Sequence, residues 1–318
     1  MEVRSVLPPD AIPSVDDPVF GPEYVGEPDD EVVVVDRPGN RARAYPVRIL
    51  HYHEIVNDRI DGRPVAVTWC PLCGSAAVYD ATVDGRALTF GVSGKLADDD
   101  LVMYDRETGS EWKQSLGRAI AGELEGRELE LLPAPLVPYR RFAADHPDGR
   151  VLQPPGGESE AASDGETPEP IRYDQQPYAD YFESAGYGLD AHRGTGGRAD
   201  WDRDDLGPKA TVLGLEVGGD ALGVPRPVVE AAGGVVQPTV GSRSVAVFAT
   251  PDGLHGFFDD GLGFEPSAEP GRFRADGATW DGATGESDDG RALERAPARR
   301  LFAFAWRDDH GPDAFYEG

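Results

Sequence analysis

Arg63-Pro64-Val65-Ala66-Val67-Thr68-Trp69-Cys70-Pro71 and Arg243-Ser244-Val245-Ala246-Val247-Phe248-Ala249-Thr250-Pro251 are one phrase written twice in the same chain. Each runs from an arginine through Val-Ala-Val and stops at a proline, the pattern of a buried strand closed by a turn. The likeness extends on both sides. Val33-Val34-Val35-Asp36 with Ala42-Arg43-Ala44-Tyr45-Pro46 precedes the first phrase as Val212-Leu213-Gly214-Leu215 with Ala221-Leu222-Gly223-Val224-Pro225 precedes the second. Gly117-Arg118-Ala119-Ile120 is echoed by Gly290-Arg291-Ala292-Leu293, and Ala144-Asp145-His146-Pro147-Asp148 by Asp308-Asp309-His310-Gly311-Pro312-Asp313. With 40 glycines and 28 prolines in 318 residues, long helices are excluded and short strands favoured. The expected fold is therefore mainly β, an α+β arrangement with few short helices, built as two tandem diverged copies of a β-rich module. The first copy spans residues 1–153, a connecting segment 154–210, and a second, degenerate copy 211–318. Within the connection, Pro155 to Pro170 is acidic and rich in Gly, Pro and Ser, the composition of a surface loop or linker. The tyrosine-rich Arg172-Tyr173-Asp174-Gln175-Gln176-Pro177-Tyr178-Ala179-Asp180-Tyr181 is expected to pack back onto one module.

The only two cysteines, Cys70 and Cys73, lie in the first copy, and threonine stands at the matching place in the second. Two thiols at Cys-x-x-Cys spacing and nowhere else point to a shared object, a metal ion or a disulfide. Pro71 fixes φ after the first sulfur, and Gly74 allows a close turn behind the second. The inert alternative is that both are small buried hydrophobes.

Fifty-eight acidic residues against 30 basic ones give a net charge of −28, with arginine supplying nearly all the positive charge. Such a surface repels nucleic acid and is of the kind that keeps halophilic proteins in solution at high salt. No run of apolar residues is long enough for a membrane span. The first ten residues lack the basic and apolar regions of a secretory leader, which places the expected location in the cytoplasm. An unidentified small molecule or protein is the expected partner.

Several stretches of the first copy resemble an uncharacterised family, domain-of-unknown-function family 3179. They are Ile12-Pro13-Ser14-Val15-Asp16-Asp17-Pro18, Arg43-Ala44-Tyr45-Pro46 with Ile49-Leu50, His53-Glu54-Ile55-Val56-Asn57-Asp58, Thr68 to Ser75, Phe90-Gly91-Val92-Ser93-Gly94, and Leu101-Val102-Met103-Tyr104-Asp105-Arg106 with Thr108. Trp112 with Gln114, and Arg172-Tyr173 with Pro177-Tyr178, complete the set, so the resemblance covers about residues 8 to 182. It implies relatives and no activity. It does separate two histidines, because His53 falls in a family-like motif and His51 does not.

Tyr45 to Asp58 reads as one short helix begun by Pro46 and ended by a turn at Asn57-Asp58. His53 in its C-terminal half either completes a metal site with Cys70 and Cys73 or simply favours the helix dipole. Glu54 points about 100° away from His53 and is expected as a neighbouring or catalytic carboxylate. Met103 and Asp105 share a strand face. Asp105 is a second candidate proton acceptor, and Met103 is either core filling or a thioether ligand. Ser93 lacks the spacing of a phosphate loop or a nucleophile elbow and reads as a turn. His146, His192, His255 and His310 show no ligand spacing and are expected at the surface or in caps. The leading expectation is a zinc or copper site on His53, Cys70 and Cys73. The alternatives are a dithiol/disulfide redox protein and a non-enzymatic binding module.

Overall fold

The computed structural model describes residues 1–37, 39–163, 167–198 and 200–318. The chain divides into two compact units, Met1–Trp201 and Asp202–Gly318. Most of the expected connecting segment therefore packs within the first unit, and residues 164–166 of its acidic loop lie outside the described residues. The fold is mainly β, and among the described residues no α-helix exceeds the eight residues of Ala303–His310.

In the first unit Glu31–Val35 pairs antiparallel with Arg43–Pro46 on one side and Leu136–Pro138 on the other, and Arg150–Leu152 runs parallel to Arg43–Pro46. Val32 to Val35 are all buried, so this strand reads as a continuous apolar run rather than an alternation. Pro46, in extended backbone, starts the helix Val47–His53. The helix stops earlier than the sequence suggested. Glu54 takes φ 56° and ψ −31°, and the chain then enters the strand Ile55–Ile60. β-Branched Ile55 and Val56 pair opposite Thr68 and Val67, which overrides the helical reading of these residues. Asn57-Asp58 is consequently strand, and the turn is made by Asp61-Gly62, both at positive φ as a two-residue hairpin requires.

Arg63–Cys70 pairs with Ile55–Ile60 and with Ser75–Asp80, forming what is called below the cysteine hairpin. Leu50, Val56, Val67, Trp69 and Val78 interlock with Tyr45 and Val33 in one core cluster. Each such aliphatic side chain, once buried, contributes about 1.5–3 kcal/mol. A second antiparallel sheet carries Val3–Ser5, Phe90–Ala97, Asp100–Asp105, Glu111–Lys113 and Arg118–Ala121 in that order. Asp98 and Asp99, both at positive φ, turn the central hairpin of this sheet. Ser93 lies within the strand and not in a turn: the register shifts between Val92 and Lys95, and its Oγ donates to the Val102 carbonyl at 2.6 Å.

In the second unit Thr211–Val217 pairs antiparallel with Asp220–Pro225 and with Ala298–Phe302, and Phe315 bridges in parallel to Gly223. The helix Arg226–Ala231 follows Pro225, and Val235–Val236, Arg243–Thr250, Gly253–Phe258 and Glu294–Arg295 lie side by side. Arg272–Ala275 and Ala278–Asp281 form a separate hairpin. His255, expected at the surface, is buried opposite Phe248 in the long hairpin. Phe248, Phe257, Phe273 and Trp280 fill the core there.

Candidate metal centre and adjoining cavity

The cysteine hairpin delivers its sulfurs at the end of a fully buried strand. Cys70 pairs with Ser75, and the four residues between them close the turn with Gly74 at φ 55°. Both cysteines are buried and free. From the other sheet, the Asp98-Asp99 turn brings in two contacts. The Asp99 carbonyl accepts from the Cys73 thiol at 3.4 Å, and Asp100, at the head of its strand, is 2% exposed and takes the Ser115 N–H on Oδ2 at 2.8 Å. One ligand atom from each of Cys70, Cys73 and Asp100 lies within 4.8 Å of the others, so this group could hold a metal ion. No other such group converges among the described residues.

Asp100 escaped the sequence reading. Its signal was the run Asp98-Asp99-Asp100, in which two aspartates serve the turn and the third is carried inward by the strand.

Burial pushes both thiols up, and Asp100 adds to the effect, with the Cys73 thiol well above its ordinary value. Without a cation these sulfurs are protonated and weakly nucleophilic at neutral pH. Beside them lies a polar layer. The Gln114 amide donates to Thr68 Oγ1 at 2.8 Å and Thr68 Oγ1 donates to the Ala77 carbonyl at 2.9 Å, while Ser75 Oγ and Gln114 Oε1, both buried, have no hydrogen-bond partner among the described residues.

His53 does not join this group. Its Nδ1 lies 2.8 Å from the Pro13 carbonyl, which can only accept, so Nδ1 carries the proton. Nε2 then accepts from the Tyr173 hydroxyl at 2.6 Å, and that lone pair is spoken for. His53 ties the helix end to the amino-terminal segment and to the tyrosine-rich stretch. His51 Nδ1 accepts from Trp69 Nε1 at 3.2 Å between the rings of Tyr178 and Phe182, and burial lowers its pKa to about 3.

Asp105 is likewise occupied locally. Oδ1 receives the Thr108 N–H and hydroxyl, and Oδ2 receives Trp112 Nε1 at 2.9 Å. Those contacts shape the turn after its strand and leave little acceptor capacity for chemistry. Met103, fully buried opposite Trp112 and Val92, packs in its sheet.

Glu54 differs from all of these. Its carboxyl makes no hydrogen bond or ion pair among the described residues, and only 7% of the residue is exposed. Burial, with Glu160 and Asp100 nearby, raises its pKa to about 8. It opens on a cavity of about 80 Å³ that is also lined by Tyr178, Glu160, His192 and Arg193, with Leu72, between the cysteines, on the wall. Glu160 comes from the acidic loop, Tyr178 from the tyrosine-rich stretch and His192 from the residues that follow it, so both stretches contribute to the cavity.

The same region covers the cysteine turn. Tyr181 donates to the Leu72 carbonyl at 2.7 Å and accepts the Gly188 N–H at 3.1 Å. Gly188 sits at φ 80°, and a Cβ there would fall 2.4 Å from Asp99 Oδ2. Leu189 N–H reaches Asp99 Oδ1 at 3.2 Å, so only glycine lets the chain lie this close to the aspartate turn.

The fold and site define a mainly β protein with a buried dithiol–carboxylate group next to a small, partly open cavity. The family described as a protein of unknown function, DUF3179, matches residues 9–315, and the chain belongs to that family. The match runs through the second unit, beyond residues 8 to 182, whose motifs resemble the family. No curated protein and no solved structure matches the chain.

Proposed function

We propose that this protein binds a single divalent metal ion, zinc, through Cys70, Cys73 and Asp100. The observation that carries the reading is the convergence of two buried sulfurs and one buried carboxylate. Three groups that are anionic as ligands are costly to hold together in a dry interior, and a cation removes that cost. A mixed sulfur and oxygen set suits zinc, whereas copper(I) favours sulfur alone. Three protein ligands leave a fourth position, and the unpartnered Ser75 Oγ and Gln114 Oε1 supply polar groups for whatever binds there. Glu54 is the proton-carrying residue of this reading, and Asp105 is a turn residue.

A dithiol/disulfide couple is the second reading, favoured by the proximity of the two sulfurs; the raised thiol pKa values weigh against it. The second unit reads as a diverged copy of the first that has lost the metal-binding groups.

Elemental analysis of protein purified without chelator, followed by cobalt(II) substitution, tests the proposal. The expected result is one equivalent of metal and a sulfur-to-cobalt charge-transfer band that disappears in Cys70→Ser. Metal-free protein that takes up no cobalt, with thiols that react equally fast with and without chelator, overturns it.

A further inference from the structure

The cavity beside the cysteine turn has a lining whose chemistry would select among ligands. Six polar side chains line it: Lys95 is held by Glu111, and the other five, Glu54, Glu160, Tyr178, His192 and Arg193, make no side-chain hydrogen bond or ion pair among the described residues. Tyr178 is 6% exposed and Glu54 7%, and both line the same small space. Several unpartnered polar side chains converging on one partly apolar cavity are what a ligand site offers.

Much of the remaining lining is hydrocarbon, including Leu7, Leu72, Val92, Leu96, Leu101 and Leu189. Glu160 lies near enough to Glu54 for its charge to be felt there, while the charge felt at Glu160 is that of Arg193. A positive guest relieves the repulsion at Glu54, and one with several N–H donors satisfies both carboxyls and the Tyr178 oxygen together. A bare divalent ion is a poor fit, because these carboxyls do not converge with a third ligand and the apolar wall would gain nothing. Arg193, exposed at the rim, disfavours a second positive charge at the mouth.

We infer that this cavity binds a small primary alkylammonium ion, its nitrogen between Glu54 and Glu160 and its hydrocarbon chain against the leucine wall. The inference goes beyond the metal reading and does not depend on it.

Calorimetric titration of the full chain at pH 9, where Glu54 is ionised and an alkylamine still carries its proton, with n-butylammonium and, separately, with butan-1-ol tests this, both after chelator treatment and after metal loading. Saturable binding of the ammonium, at least tenfold tighter than the alcohol, is expected. Glu54→Gln, which keeps shape and hydrogen-bonding capacity while removing the charge, should cost the ammonium at least tenfold and leave the alcohol unchanged; Glu160→Gln serves as an independent second variant. Equal binding of alcohol and ammonium, no saturable binding of the ammonium, or ammonium affinity unchanged in both variants overturns the inference. Because the chelated protein is titrated as well, loss of the metal reading through Cys70→Ser would leave these results standing.

Discussion

The cysteine hairpin and the hairpin Arg243–Thr250 with Gly253–Phe258 are built on the same Val-Ala-Val strand, but the first turns through four residues and the second through two, Pro251 and Asp252. The extra pair includes Cys73. Neighbouring contacts align the rest. Trp69 N–H donates to the Glu54 carbonyl at 2.7 Å where Ala249 N–H donates to Gly234 at 2.9 Å, and both acceptor residues lie at positive φ. Asp100 pairs with Ala97 as Ala278 pairs with Ala275. On the proposal that the second unit is a diverged copy, it has Thr250 for Cys70, nothing for Cys73, Ala278 for Asp100 and Gly234 for Glu54. Structural features recur in both, however. Pro225 starts a helix as Pro46 does, and Asp281 accepts the Thr284 N–H as Asp105 accepts that of Thr108. What differs between the units is thus the set of groups proposed for chemistry, and what is common is structural.

The largest effect that can break this comparison is on metal uptake. Cys70→Ser and Cys73→Ser should each lower zinc affinity about 1,000-fold or more, about 4 kcal/mol, by competition with a chromogenic chelator. Thr250→Cys should confer no second equivalent. Retention of zinc in both serine variants would show that the difference between the hairpins is incidental.

Next in size are the paired turn aspartates. Asp105→Ala and Asp281→Ala should each destabilise the protein by about 2–3 kcal/mol in denaturant titration, since each strands N–H groups at a buried turn. Metal stoichiometry should not move in either variant. A selective loss of metal in Asp105→Ala would restore Asp105 to the site.

Asp100→Asn should weaken zinc by roughly 10- to 100-fold, about 1.4–2.7 kcal/mol, whereas His53→Ala should lower stability and leave zinc affinity as in the parent. The reverse pattern would return the third ligand to His53.

The smallest effect per unit change concerns Glu54. Its folded pKa, about 8, stands above the ordinary carboxyl value, so the native state holds a proton that the unfolded chain releases. Stability should therefore fall by up to about 1.4 kcal/mol for each pH unit between the ordinary carboxyl range and about 8, and then level off. Glu54→Gln should flatten that slope. An unchanged slope in the variant would mean that the carboxyl is solvated in the native state.

The strands of both units were legible because Val-Ala-Val and Val-Val-Val runs bounded by Gly and Pro have one structural meaning. The helix from Pro46 was legible at its start, where proline fixes φ, and misread at its end, where tertiary pairing of Ile55 and Val56 outweighed local periodicity. Cys70, Cys73 and Glu54 stood out through rarity and position. Asp100 and Glu160 did not, since one aspartate among three and one glutamate in an acidic loop look like solvated surface until long-range packing carries them inward. His53 misled for a related reason. A histidine with both nitrogens satisfied by Pro13 and Tyr173 is indistinguishable in sequence from one waiting for a metal.

The Tyr181 hydroxyl on the Leu72 carbonyl sets an order of events during synthesis. The residue that covers the cysteine turn is made 109 positions after the residue it covers. At about 5–20 residues per second, roughly 5 to 20 seconds pass on the ribosome between the appearance of the thiols and that of their cover. An ion can reach the sulfurs freely in that interval. Once Tyr181, Gly188 and Leu189 have settled, exchange requires that stretch to detach, so the finished protein should give up a bound ion at the rate of a local opening rather than at the rate of ligand dissociation.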